Sequence, residues 1–409
     1  MLIRRRNFLK AIGGGTVVAA VGGTLPRFLA KAAAATAEDN GRVLVVLQLS
    51  GGNDGLNTVV PYDDDLYARA RPTLRLSKKD VFPLEPGTGL HPAMPEFAVL
   101  YEEGVLEIVQ GVGYPNPAQD HGRAKRVWET AAPETVTCPT GWVGRTADAV
   151  IASDPGSSPA VFVGSIPKPF ALNAEHAVVP RLFNRNWAGA SLGDSELRDA
   201  VKRTLAMSRE NKATDSLRRT AGECFDRLEK LVQTASRAGS TPYPDFRLAK
   251  DLETVARLIR AEAGIRIYYV ELGGGEIGGF DTHAVQAANH GALLEQLSKS
   301  VAAFVADLKR DGLLDSVALV TFSEFGRTIE ENGRRGTNHG AAAPHFIVGG
   351  GVRGGIIGPP PNLAEPEKGG VPYTIDFRAY YATCLESWLG FPAETVLGKK
   401  YPLHAFFNA

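Results

Sequence analysis

Two segments in the second half of the chain combine acid and imidazole groups with turn-forming glycines. They are Gly279-Phe280-Asp281-Thr282-His283, and Ser323-Glu324-Phe325-Gly326-Arg327-Thr328 followed by Gly336-Thr337-Asn338-His339-Gly340. On extended backbone Asp281 and His283 point to one side and can converge on one ion. Glu324 ends an apolar run with Arg327 close enough to pair with it, which leaves a structural ion pair as its competing role. His339 sits beside Gly340, a pattern that suits close approach of backbone to a ligand. A third acid, Asp54, lies in the glycine-flanked turn Ser50-Gly51-Gly52-Asn53-Asp54-Gly55, where turn formation competes with function. Asp54, Asp281, His283, Glu324 and His339 together offer carboxylate and imidazole but no thiolate. That donor set suits Zn²⁺ or Mn²⁺ better than copper or an iron–sulfur cluster. Divalent ions so held activate water and steady charge on a transferred phosphoryl or sulfuryl group. The scattered tryptophans, and His91, His176, His290, His345 and His404, read as structural.

The elements that must position these groups alternate. Apolar runs predict strands at Arg42–Leu49, Val105–Val109, Val161–Gly164, Ile265–Leu272, Val317–Phe322 and His345–Val348. Helices are expected at Pro95–Glu103, His121–Thr130, Asp245–Glu262, His290–Arg310 and Asp376–Leu389. In the fourth of these, Leu293, Leu294, Leu297, Val301, Phe304, Val305 and Leu308 mark an apolar face at 3.6-residue spacing. Strands alternating with helices predict an α/β fold with a mostly parallel sheet covered on both faces. Such sheets deliver chemistry at their strand ends. A charged, helical insertion is expected at about 190–238.

The N-terminus bears on location. Arg5-Arg6-Asn7-Phe8-Leu9-Lys10 has the twin-arginine pattern, a weakly apolar stretch follows, and Ala35-Thr36-Ala37 offers a cleavage site. Residues 1–37 are therefore expected to be a twin-arginine signal peptide, its partner the twin-arginine translocon. Residues 38–409 are expected to form one periplasmic α/β domain with no stable membrane span. Lys plus Arg and Asp plus Glu are both 45, so the chain carries no basic footprint for nucleic acid. Its 3 cysteines exclude a disulfide scaffold or a cysteine zinc site.

In order and spacing, Leu49-Ser50-Gly51-Gly52-Asn53-Asp54-Gly55-Leu56-Asn57, Leu90-His91-Pro92-Ala93, Gly279-Phe280-Asp281-Thr282-His283, Ser323-Glu324-Phe325-Gly326-Arg327-Thr328 and Thr337-Asn338-His339-Gly340 resemble the domain of unknown function 1501 family of exported bacterial proteins. The resemblance covers nearly the whole mature chain. That family in turn resembles the alkaline phosphatase and sulfatase superfamily in fold. The resemblance implies an alkaline-phosphatase-like architecture in which Asp54 is the first metal ligand, Asp281 and His283 the middle pair, and Glu324 and His339 the last. It places the nucleophile near Asp120-His121, with His121 acting near the reacting group and Arg327 clamping an oxyanion or orienting Glu324. Two positions depart from the family pattern: Asp120 stands where a serine is usual, and Asn338 where an aspartate is usual. The implied activity is a metal-dependent hydrolase or transferase on a phosphate or sulfate ester. The alternative is a catalytically silent periplasmic binding or assembly protein that retains the fold.

Overall fold

The computed structural model describes residues 41–132, 137–153, 159–182, 241–274 and 279–408. The expected signal segment and helical insertion lie outside the described residues. In chain order the strands are β1 (Val43–Leu49), β2 (Val59–Val60), β3 (Phe82–Glu85), β4 (Thr88–Leu90), β5 (Leu106–Gly113), β6 (Ala160–Val163), β7 (Arg181–Leu182), β8 (Ile267–Leu272), β9 (Val317–Phe322), β10 (Arg327–Glu331), β11 (Thr337–His339), β12 (Ala343–Gly349), β13 (Gly355–Ile357) and β14 (Ile375–Asp376). The helices are α1 (Asp65–Ala70), α2 (Pro95–Glu102), α3 (His121–Thr130), α4 (Trp142–Ser153), α5 (Arg247–Arg260), α6 (Gln286–Arg310), α7 (Phe377–Thr383) and α8 (Ala393–Leu397).

The main sheet runs β13-β5-β12-β9-β1-β8-β6-β7, with β14 also paired to β5. Only β12 runs antiparallel to its neighbours in that sheet. A parallel return needs a crossover of a dozen or more residues, usually through a helix. Between β9 and β12 the chain makes only the β10–β11 hairpin, so it re-enters the sheet reversed. The central strands β9, β1 and β8 are buried at every residue, which explains sequences that are apolar but for Thr321, Gln48 and Glu271.

Alternate residues of β1 feed two cores. Val45, Leu47 and Leu49 pack with Phe97 of α2, Leu252 of α5 and Leu297 and Phe304 of α6. Leu44 and Val46 pack with Trp128 of α3, Trp142 of α4, Tyr380 of α7 and Val396 of α8 on the opposite face. Each fully buried Leu, Val or Phe contributes about 1.5–3 kcal/mol. The sheet is thus a rigid base between two helical layers. The ends of β1, β8 and β9 lie side by side, because Leu49 pairs with Leu272 and Gln48 with Phe322. The turns that leave these three ends hold Asp54, Asp281, His283 and Glu324, the β10–β11 hairpin adds Arg327 and His339, and the start of α3 adds Asp120 and His121.

Candidate metal centre

Four chain segments meet at this edge. The β1 end turns through Gly51, whose φ is +118° and where a Cβ would lie 2.5 Å from the Asp281 backbone nitrogen. Only a glycine lets the two turns approach so closely. The segment after β8 is fixed by the Phe280 N–H, which donates to the Ser50 carbonyl at 3.0 Å. The β10–β11 hairpin makes Arg327 and His339 cross-strand partners. It docks on the Asp281 turn through the Thr337 N–H, which donates to the Thr282 carbonyl at 3.1 Å. Finally, α3 brings in His121 as its first residue; the Asp120 carboxylate caps that helix by accepting from the Arg123 N–H at 2.7 Å.

The result is a cluster around Asp281. His283 Nε2 lies 3.0 Å from Asp281 Oδ1 and His339 Nε2 lies 3.2 Å from the same oxygen. His121 Nε2 stands 3.3 Å from Asp281 Oδ2. The Nε2 atoms of His283 and His339 are 3.0 Å apart. Ligand atoms of His121, Asp281 and His339 all lie within 4.8 Å of one another. Donors held about 2.0–2.1 Å from one zinc in a tetrahedron stand about 3.3 Å apart, so the spacing fits a single small cation. His121, Asp281 and His283 remain about one-third exposed, so the cluster opens to solvent.

Each imidazole is held from behind. His121 Nδ1 lies 3.0 Å from Glu324 Oε1, and His339 Nδ1 donates to the Gln119 carbonyl. Those outer bonds fix the ring orientations and aim both Nε2 atoms at Asp281. The Asn338 side chain lies beside His283 and favours the charged form of that ring. The Phe325 ring stacks on His339 with centroids 4.4 Å apart and sits 5.0 Å from His121, walling the cluster on one side.

Electrostatics follow the same wiring. The hydrogen bond His121 donates to Glu324 raises the His121 pKa, outweighing burial, and the charges of Glu324 and Asp281 add to it. Burial pushes Asp281 upward, but the hydrogen bond and charge of Arg327, with His339 and His283 behind them, hold it down at about 2. Burial lowers the His283 pKa against the pull of Asp281.

Several expected roles change. Asp54 stands apart from the cluster: it is buried, and its Oδ2 and Oδ1 accept from Arg71 Nη1 and Nη2 at 2.6 and 2.9 Å. Gln286 of α6 donates to the same carboxylate. Both oxygens are thus engaged by Arg71 and Gln286, and Asp54 serves here as a buried anion paired within the fold. Arg327 neither pairs with Glu324 nor reaches outward. It donates to the Gly51, Gly52, Phe280 and Thr337 carbonyls and to Asp281 Oδ1 at 2.6 Å, so four of its five hydrogens are spent inward and the buried side chain braces the turns. Glu324 is fully buried, accepts from the Gly51 N–H with both oxygens, and orients His121. Asp120 is a helix cap. His121, which only the family resemblance had singled out, lies in the cluster beside Asp281 and His339.

Two residues missed in the sequence complete the surroundings. Arg71 follows Tyr67 by one helical turn, and Tyr67, Arg71 and Asn57 share a buried network. That spacing was the available signal. Lys125, one turn after His121 on α3, donates to Ser50 Oγ at 2.7 Å and stands 3.8 Å from Glu324 Oε1. Beside the cluster an open groove of about 650 Å³ is lined by Arg69, Thr328, Glu330, Asn332, Asn338 and Gly369. Asn338 touches both this groove and His283.

A profile of the DUF1501 family, described as a protein of unknown function, matches residues 130–368, more than half of the chain. No curated protein matches the sequence. Solved structures similar to it include the C-terminal periplasmic domain of EcEptC from Escherichia coli in complex with Zn, at 11% identity and TM-score 0.37 over 76% of this chain and 74% of that one. PsFucS1 sulfatase from Pseudoalteromonas sp. is similar at 11% identity and TM-score 0.38, over 96% and 73% of the two chains. A protein in the alkaline phosphatase superfamily from Vibrio parahaemolyticus is similar at 10% identity and TM-score 0.35, over 79% and 63%. Among the described residues no helix is long and apolar enough to cross a membrane.

Proposed function

The chain belongs to the DUF1501 family, and we propose that it is an exported, metal-dependent hydrolase or transferase acting on a phosphate or sulfate ester. The observation that carries this reading is the meeting of the His283 and His339 Nε2 atoms at 3.0 Å over one Asp281 oxygen. The two Nε2 atoms converge on each other and on an anion, and a cation between them would take their lone pairs in place of the protons. His121, His283, His339 and Asp281 would hold it; three nitrogens and one oxygen fit zinc or manganese. When bound, a divalent ion supplies Lewis-acid stabilisation of charge developing on the ester oxygens.

The protein's own groups do the rest. Lys125 stands beside the cluster, on the helix face that carries His121, where its side-chain nitrogen reaches Ser50 Oγ at 2.7 Å. The first turn of α3 points its positive end the same way. The groove beyond Asn338 receives the alcohol part of the ester, and its amides and Arg69 suit a hydroxyl-rich group. Phe325 keeps water from one side of the imidazoles. In this reading the twin-arginine translocon delivers the protein to the periplasm, where it works without a membrane span and without nucleic acid.

Elemental mass spectrometry on the purified protein tests the reading, with His283→Ala and His339→Ala alongside. Near-stoichiometric zinc or manganese in the wild type, lost in both variants, is expected, together with release of nitrophenol from nitrophenyl phosphate or sulfate. Absence of metal after incubation with divalent ions would leave a silent binding or assembly protein as the function.

A further inference from the structure

The centre lacks a nucleophile where the resemblance placed one, since Asp120 is spent as a helix cap. The structure holds a different candidate. Ser50 follows the last residue of β1, at the sheet edge where the cluster lies. Its backbone is clamped: its N–H donates to the Leu272 carbonyl at 2.8 Å and its carbonyl accepts from the Phe280 N–H at 3.0 Å. A Cβ on Gly273 or Gly279 would come within 2.7 or 2.8 Å of that carbonyl, so glycines pack the serine closely into place. The hydroxyl accepts a hydrogen bond from Lys125 Nζ at 2.7 Å, and Glu324 Oε1 stands 3.8 Å beyond the amine. The same Glu324 oxygen lies 3.0 Å from His121 Nδ1, which ties this row to the cluster. A hydroxyl, an amine in hydrogen-bond reach and an anion orienting the amine are the three roles of an activated serine.

We propose that Ser50 is the nucleophile of this site and Lys125 its general base. The inference rests on reading the site as one that transfers the acid group of an ester. Ser50 Oγ attacks the central phosphorus or sulfur and forms a new bond to it. The bond from that atom to the ester oxygen breaks, and the hydroxyl proton passes to the amine form of Lys125 and on to the departing oxygen. The serine ester then yields to water or an acceptor alcohol, with proton transfer in the reverse order. Glu324 acts as a positioning residue for the amine.

A fluorophosphonate probe on the full-length protein tests this without knowledge of the substrate. Reaction forms the Ser50 Oγ–phosphorus bond, breaks the phosphorus–fluorine bond, and leaves the proton on Lys125. Peptide mass spectrometry should find the adduct on Ser50, and Ser50→Ala should abolish it. Lys125→Ala should slow labelling by about 100-fold, within the usual range for loss of a general base, and added methylamine should restore part of the rate. Lys125→Arg, which keeps a hydrogen-bond donor but stays protonated and so removes the base, should label as slowly as Lys125→Ala. No adduct on Ser50, or labelling indifferent to Lys125→Arg, would overturn the proposal. Metal content measured on the same samples separates the two readings. A metal-loaded protein that does not label at Ser50 keeps the metal centre and loses the nucleophile; a metal-free protein that labels does the reverse.

Discussion

His283 and His339 approach Nε2 to Nε2 at 3.0 Å, and both lie within 3.2 Å of Asp281 Oδ1. In the metal-free protein this arrangement is relieved by a proton, and in the loaded protein by an ion. The two compete for the same lone pairs. Zinc binding should therefore release protons, seen as a dependence of the calorimetric enthalpy on the buffer's ionisation heat. The His121 pKa is raised, chiefly by its hydrogen bond to Glu324, so this competition extends above the ordinary histidine pKa of 6.5. Affinity should rise with pH through and beyond that value. A binding enthalpy that is the same in all buffers would place the ion elsewhere.

Glu324 acts on the cluster through His121 alone, with its own oxygens occupied by the Gly51 N–H. Losing such an outer partner typically costs 10–100-fold in metal affinity, and about that loss is expected for Glu324→Gln. The His121 imidazole should also titrate lower in the metal-free variant, because the carboxylate that favours its charged form is gone. NMR of the imidazole protons reads that shift. An unchanged His121 titration would mean that Glu324 does not orient the ring.

The Asp54–Arg71 pair calls for the opposite signature. Removing one partner of a buried pair leaves the other charge uncompensated, and Asp54→Asn should cost about 3–5 kcal/mol in chemical denaturation. Its metal content should stay close to wild type, because both Asp54 oxygens face Arg71 and Gln286. A stable variant that has lost its metal would restore Asp54 to the ligand set.

What the sequence displayed was largely what solvent exclusion writes into it. β1, β8 and β9 were legible because a strand buried on both faces is mostly apolar, and Val317–Phe322 has the boundaries that were expected. Asp281, His283 and His339 were legible as acids and imidazoles beside glycines that permit close turns. The roles of Asp54 and Arg327 were not, since they depend on which partner arrives from afar. Arg71 is 17 positions from Asp54, and Asp281 is 46 from Arg327. Among Arg69, Arg71 and Arg75, only the one-turn spacing from Tyr67 sets Arg71 apart, and that spacing does not point to Asp54. The reversed β12 was likewise hidden, because its direction follows from the absence of a helix between β9 and itself.

Acid should expose the Asp281–Arg327 pair. In the folded protein the Asp281 pKa is lowered to about 2: burial opposes this, but the hydrogen bond and charge of Arg327 prevail. A carboxylate depressed below its unfolded value, about 3.9, contributes stability that is fully present above that value and lost as pH falls toward the folded pKa. The metal-free wild type should therefore be more stable than metal-free Asp281→Asn at pH 5 and above, and the gap in melting temperature should close between about pH 4 and pH 2. His121 works in the opposite sense: its raised pKa gives stability present below 6.5 and lost as pH climbs through the folded value. The two windows do not overlap, so thermal melts from pH 2 to pH 9 in chelator separate them. A gap between wild type and Asp281→Asn that stays constant from pH 6 to pH 2 would show that the Arg327 guanidinium does not hold the carboxylate in its charged form.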